Sequence, residues 1–356
     1  MVRILKSDAA RNPANTAPRI EAVLPDSALP GGEIEVRGAN LGTHMNSAGL
    51  LRPLSEIGGA AAPVLLSRDN RLVVRVPEVA SASPRLEVFR NGSRSNQVEV
   101  HIARLLAENV HAVASPAVND KGEIFVTFSG PRGQQTPVSV FKIDPDGEMH
   151  VLLSGLVNAT ALALDAYGYL YVSSRHEGTV HRVSPQGAAA IYAEGMGVAT
   201  GVAFDASQNL YVGDRSGTIF KIARDRQTFV FATLEPSVAA YHMAFGPDGG
   251  LYVTGPTTSS YDSVHRIDPD GSTSVYYRGL GRPQGIAVDI AGNLYIAASL
   301  RGRRGIVRVT PDKEASLVLA GSGLIGLAFA PGGNAVLTTG TAVYHVDLGV
   351  EGFRFA

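Results

Sequence analysis

The chain has 356 residues, which at about 150 residues per domain suggests two domains, and its 31 Lys+Arg against 32 Asp+Glu leave a net charge of −1. That balance excludes a basic field for nucleic acid, and 18% charged against 45% hydrophobic residues excludes a disordered chain. The absence of cysteine excludes disulfides, thiolate metal centres and thiol catalysis, while 40 Gly and 20 Pro spread along the chain point to many short strands joined by tight turns.

Residues 1–17 start with a basic residue but lack the apolar run of about seven that a signal peptide needs. They read as a flexible tail on a soluble protein, and no run of about 18 apolar residues predicts a membrane span. The expected location is the cytoplasm, or an exported one if a leader has been removed.

Residues 18–102 alternate apolar and polar side chains in short runs: Arg19 to Val23, Glu33 to Arg37, Arg71 to Val76, Arg85 to Phe89 and Gln97 to Ile102. Period two with a charged outer face predicts half-buried antiparallel strands. Pro30-Gly31-Gly32, Gly58-Gly59, Pro77 and Asn91-Gly92 supply the turns, the last being a favoured two-residue hairpin. About seven strands predict a β-sandwich, with residues 42–62 as its least strand-like part. The series Pro30-Gly31-Gly32-x-Ile34-x-Val36-x-Gly38, Leu41-Gly42, Val74-x-Val76-Pro77 and Ser95-Asn96-x-Val98 resembles the IPT/TIG family, which implies an immunoglobulin-like fold serving as spacer or docking module.

From residue 103 one pattern recurs, clearest in Thr200 to Val212 and Gln284 to Ile296. The second-strand positions Ile124, Leu170, Leu210, Leu251, Leu294 and Ala335 are 46, 40, 41, 43 and 41 residues apart. A four-stranded unit near a period of 40 is a propeller blade, so residues 103–356 are predicted to form a six-bladed β-propeller. Residues 103–109 match the fourth strand at Ala189 to Gly195, and are expected to close the last blade and so remove two exposed edges. The run Arg282-Pro283-Gln284-Gly285-Ile286-Ala287-Val288-Asp289, with Gly292-Asn293-Leu294-Tyr295, resembles NHL repeats and the gluconolactonase/regucalcin family.

Recurrence separates scaffold from site. A basic residue ends every third strand (Lys142, Arg182, Lys221, Arg266, Arg308, His345), so it reads as scaffold that neutralises turn carboxylates such as Asp144, Asp268 and Asp312. The mouth of the channel, at the start of each first strand, reads Ala114, Thr160, Thr200, Tyr241, Gln284 and Ile325. The following residue is small in five blades and His242 in the fourth, so Tyr241 and His242 form either a ligand site or a plug. The loops between second and third strands differ from blade to blade and crown the same face, a usual place for binding. They add Arg175, His176, Asp214, Arg215, Tyr261, Asp262 and Arg301 as candidates, with Arg282 beside them; Arg175, Arg215, Arg282, Arg301, Arg303 and Arg304 form either an anion-attracting rim or solvated loop charge paired with Glu177, Asp214 and Asp262.

The family resemblance implies a divalent cation such as calcium in the channel, held by carboxylates and amides, and lactone hydrolysis. The mouth positions here carry no carboxylate, and a hard cation needs several converging oxygen ligands. The expected function is therefore non-catalytic recognition of a small molecule, glycan, peptide or protein without a cofactor. A gluconolactonase-like hydrolase with His242 as base is the alternative.

Overall fold

The computed structural model describes residues 17–46, 49–79, 84–258 and 262–355. The described residues are all-β apart from a 3-10 turn at Pro331–Gly333. The chain divides into two compact units, the first ending at Ile102 and the second starting at Ala103. Of the expected tail, residues 1–16 lie outside the described residues.

In the first unit, Arg19–Leu24, Glu33–Ala39, Arg71–Arg75 and Val64–Arg68 pair antiparallel in that order. Alternation buries Ile20, Ile34, Val36, Leu72 and Val74 on one face. Glu35 is buried too, held by Arg37 and Arg71, each at 2.7 Å. A second sheet centres on Arg85–Arg90, and Asn91 and Gly92 take φ of 50° and 77°, the left-handed pair that a tight hairpin requires. Residues 42–62 depart from expectation. Leu54–Ile57 is a regular strand paired with Arg85–Arg90, and His44–Asn46 pairs with Gly49–Leu51. Ser55 hid the alternation, because its hydroxyl donates to the Ala62 carbonyl at 2.5 Å and so permits burial of a polar side chain.

The second unit is a succession of antiparallel four-strand sheets. The second sheet (Ala159–Leu164, Leu170–Ser174, Thr179–Val183, Ala189–Ala193) and the third (Ala199–Phe204, Leu210–Asp214, Thr218–Ile222, Thr228–Thr233) are the most regular. The first runs from Ala117–Val118 to Met149–Leu153, the fourth from His242–Phe245 to Thr273–Leu280, and the fifth from Ile286–Val288 to Ala315–Ala320. The sixth takes Leu324–Ala330, Asn334–Thr339 and Ala342–Asp347 from the end of the chain, and its fourth strand is Arg104–Glu108. Arg104 lies opposite His345 and Glu108 opposite Ala342.

One turn chemistry recurs. Asp165, Asp205 and Asp289 follow a first strand; Oδ1 accepts backbone N–H groups four residues on, and Oδ2 accepts the hydroxyl of Tyr171, Tyr211 or Tyr295. Each of these tyrosines meets, edge to face, the phenylalanine or other aromatic of a neighbouring strand, as in Tyr171–Phe204 at 4.8 Å and Tyr295–Phe329 at 5.1 Å. The basic residues of the third strands pair chiefly with this first turn: Lys142–Glu123 at 3.0 Å, Arg182–Asp165 at 3.9 Å and Arg266–Asp248 at 3.1 Å. The expected partners Asp144 and Asp268 join Lys142 and Arg266 as second acids.

At the axis the first strands converge on small residues. A Cβ on Gly326 would lie 2.3 Å from the Ser115 Cα, one on Gly285 2.4 Å from the Gly326 Cα, and one on Gly201 2.6 Å from the Tyr241 carbonyl oxygen. These approaches join the fifth sheet to the sixth, the sixth to the first and the third to the fourth. Ser173 Oγ donates to the Thr200 carbonyl at 2.6 Å, which ties the second sheet to the third.

Candidate functional site

At the mouth, most side chains are engaged with the scaffold. Thr160 donates its hydroxyl to the Asn158 carbonyl at 2.8 Å. Thr200 donates to the Gly213 carbonyl at 2.8 Å and accepts from the Tyr241 N–H at 3.2 Å. Gln284 is partly buried, and its backbone carbonyl, not its side chain, accepts the Thr254 hydroxyl.

Tyr241 requires a correction. It is 3% exposed, its ring packs against the positions of Gly213 and Gly255, and its hydroxyl donates to the Glu235 carbonyl. Burial, ahead of the nearby Glu235 and Asp214 carboxylates, pushes that hydroxyl up to about 12. Tyr241 therefore offers no free aromatic face to a ligand. His242 is 5% exposed, and burial alone pulls its pKa down to about 4, so its ring is neutral at pH 7.

The loops above the mouth divide into structural and free groups. Asp214 belongs to the scaffold, because its carboxylate accepts the Val198 N–H at 2.8 Å and the Ser216 hydroxyl and lies against Gly197. Asp262 accepts from the Thr257 N–H at 2.9 Å and hydroxyl at 2.7 Å, while its Oδ2 is buried without a partner. Both acids thus depart from a role as rim carboxylates. Arg282 and Arg301 are exposed at left-handed turn positions, with φ of 47° and 51°. Tyr261 lies outside the described residues.

Arg175, His176 and Arg215 do come together with a neighbour. Arg175 and Arg215 occupy equivalent places: their N–H groups donate to Asn158 and Val198, each just before a first strand. The Arg175 guanidinium is half-buried, its Nη2 lies 3.5 Å from the Gly130 carbonyl, and its Nε is buried without a partner. Burial, then the charges of Arg215 and Arg132, pull its pKa down from the usual guanidinium range. Among the described residues none of these three arginines has a carboxylate within ion-pair distance. His176 lies against Gly133, where a Cβ would come within 3.2 Å of its ring.

Asn158 and Arg132 were not singled out from the sequence. Asn158 is 1% exposed; its Nδ2 donates to the Gly130 and Pro131 carbonyls at 2.8 and 2.9 Å, and its Oδ1 accepts from the Gly133 N–H at 2.8 Å. It moulds the loop that carries Arg132. The available signal was an asparagine immediately before the strand, suited to its φ of 53°.

The donor set does not suit a hard cation. The mouth hydroxyls donate to backbone carbonyls, no carboxylate projects among them, and no three acidic or histidine side chains converge among the described residues. No helix of the described residues is long and apolar enough to cross a membrane.

No family model and no curated protein matches the chain. Solved structures do. A gluconolactonase from Xanthomonas campestris is 16% identical with a TM-score of 0.56, over 69% of this chain and 89% of that one. A protein proposed to be a gluconolactonase reaches 20% identity and 0.60 over 71% and 94%. An auxiliary nutrient binding protein from Bacteroides thetaiotaomicron is 12% identical with a TM-score of 0.54, over 94% and 99%. At such identities the likeness shows the fold. It is an all-β architecture similar to gluconolactonase-like β-propellers.

Proposed function

We propose that the second unit is a six-bladed propeller that recognises an anionic ligand without catalysis, at the mouth and its surrounding loops. The first unit, read as an IPT/TIG-like sandwich, acts as a spacer or docking module. The observation that carries the reading is the trio Arg132, Arg175 and Arg215, contributed by adjacent sheets and lacking a carboxylate partner. A half-buried guanidinium with an unpartnered Nε is poised to donate to a carboxylate, sulfate or phosphate oxygen. An acidic glycan suits a shallow cationic rim of this kind, and similarity to auxiliary nutrient binding proteins across most of the chain supports a recognition role.

The lactonase alternative draws on the gluconolactonase neighbours. It lacks a donor set for the cation, and a neutral His242 with no acid beside it has nothing to orient it as a base.

The test is calorimetric titration with oligogalacturonate and with an uncharged glucan of the same length. Binding of the acidic oligomer alone, weakened by salt and lost in Arg175→Gln/Arg215→Gln, is expected. Equal binding of both oligomers, or turnover of gluconolactone that rises with added calcium, would overturn the reading.

A further inference from the structure

We propose that the far end of the axis, where the first strands finish, is a separate binding site for a small uncharged aromatic molecule. A cavity of about 390 Å3 lies there, within the usual size range of small-molecule sites. Phe204, Phe245, Phe329, Phe353 and Phe355 line it, five of the 12 phenylalanines of the chain. The repeat explains the first three, since each closes a first strand. It does not explain Phe353 and Phe355, which arrive from outside the repeat.

The segment that brings them is fastened across the cavity. Ile290 donates its N–H to the Glu351 carbonyl at 3.1 Å, and Phe353 donates to the Val288 carbonyl at 2.8 Å. Gly352 passes so close to Phe329 that a Cβ there would lie 2.4 Å from the Phe329 Cβ. Arg354 donates to the Phe329 carbonyl at 2.9 Å and pairs with Asp120 at 2.6 Å. The Phe355 ring then stands edge to face with Phe353 at 5.0 Å and with Phe245 at 5.9 Å. Rings in this arrangement offer both edges and faces to a further ring.

The charge balance selects a neutral occupant. Asp120 is paired with Arg354, and Asp165 accepts the Tyr167 and Tyr169 N–H groups and lies 3.9 Å from Arg182. An ion entering would lose hydration without gaining a free counter-charge. The uncharged polar groups are the Ser115, Asn119 and Gln208 side chains and the outer backbone edges of the first strands, each the terminal strand of its sheet. They can hydrogen-bond one N–H or hydroxyl of a ring such as an indole or a phenol.

The site is independent of the arginine rim, and the experiment keeps the two apart. Indole, titrated against the intact protein by ligand-observed NMR, is expected to bind one to one with Kd below about 1 mM, as nine well-buried non-hydrogen atoms allow. Ala287→Phe, which places a ring in the cavity, should abolish binding, and Phe355→Ala should weaken it about fivefold or more. Arg175→Gln/Arg215→Gln should leave it unchanged, and benzoate should not compete. Absence of saturable indole binding, binding that survives both cavity variants, or equal competition by benzoate would overturn the proposal.

Discussion

The two ends of the second unit are built from the same strands yet differ in every property that matters to a ligand. At the mouth the strands touch backbone to backbone at Gly285, Gly326 and Ser115, and the polarity sits outside, on loops with unpaired arginines. At the far end the strands diverge around a cavity, the charges are paired, and aromatic rings face inward. The same first strands thus make close contact at one end and leave room at the other. What fills the room comes from outside the repeat.

The sharpest way to break this comparison is to add carbon at each end. Gly326→Ala forces a Cβ into the Ser115 backbone and should cost about 4 kcal/mol or more, or prevent folding. Ala287→Phe, which adds a whole phenyl ring where Gly326→Ala adds one methyl group, should stay within about 1.5 kcal/mol in thermal melts because the ring enters open space. Comparable losses would mean that the ends are equally packed.

Acid should act next. Burial holds the His242 pKa down at about 4 in the folded protein against an ordinary value of 6.5, so between those values the unfolded chain binds a proton that the folded one does not. The His242 contribution to stability is therefore expected to fall by about 3 kcal/mol as pH drops from 6.5 to 4, and the lowered carboxylates Glu123 and Asp248 extend the loss below that. His265 and His345, lowered mainly by burial, act in the same direction. Denaturant melts of His242→Asn should show a shallower slope than the parent; an identical slope would remove His242 as the cause.

Arg175→Gln should weaken binding of an acidic oligosaccharide by about 1–2 kcal/mol and leave the melting temperature nearly unchanged, a change confined to the mouth. The smallest effect belongs to the far end. Arg354→Gln removes a pair whose acid is 95% exposed, so stability should move by no more than about 0.5 kcal/mol. A larger loss would show that the strap depends on its ion pair and not on Phe353 and Phe355.

The sequence reading reached the strand order because the repeat carries its own alignment. Glycines at the axis, tyrosines beside turn aspartates and the match between residues 103–109 and other fourth strands are each local patterns. The site was less legible. Tyr241 looked available because its partner, the Glu235 carbonyl, lies in a loop with no pattern. Arg132 looked like ordinary loop charge because its approach to Arg175 depends on how Asn158 folds residues 130–133. Phe353 to Phe355 fell after the last repeat, where comparison between copies gives no signal.

The strand that completes the sixth sheet, Arg104–Glu108, finds its partner only at Ala342–Asp347. A chain emerging from the ribosome makes the first of these roughly 240 residues before the second, which at 5–20 residues per second is roughly 12–48 s. Throughout that interval the four strands that each of the first five sheets draws from the second unit can pair from consecutive stretches of chain, while this strand waits with both backbone edges unpaired. The second unit is thus most vulnerable to proteases and to mispairing with other nascent chains just before its sixth sheet is finished, a hazard of timing that no property of the completed molecule records.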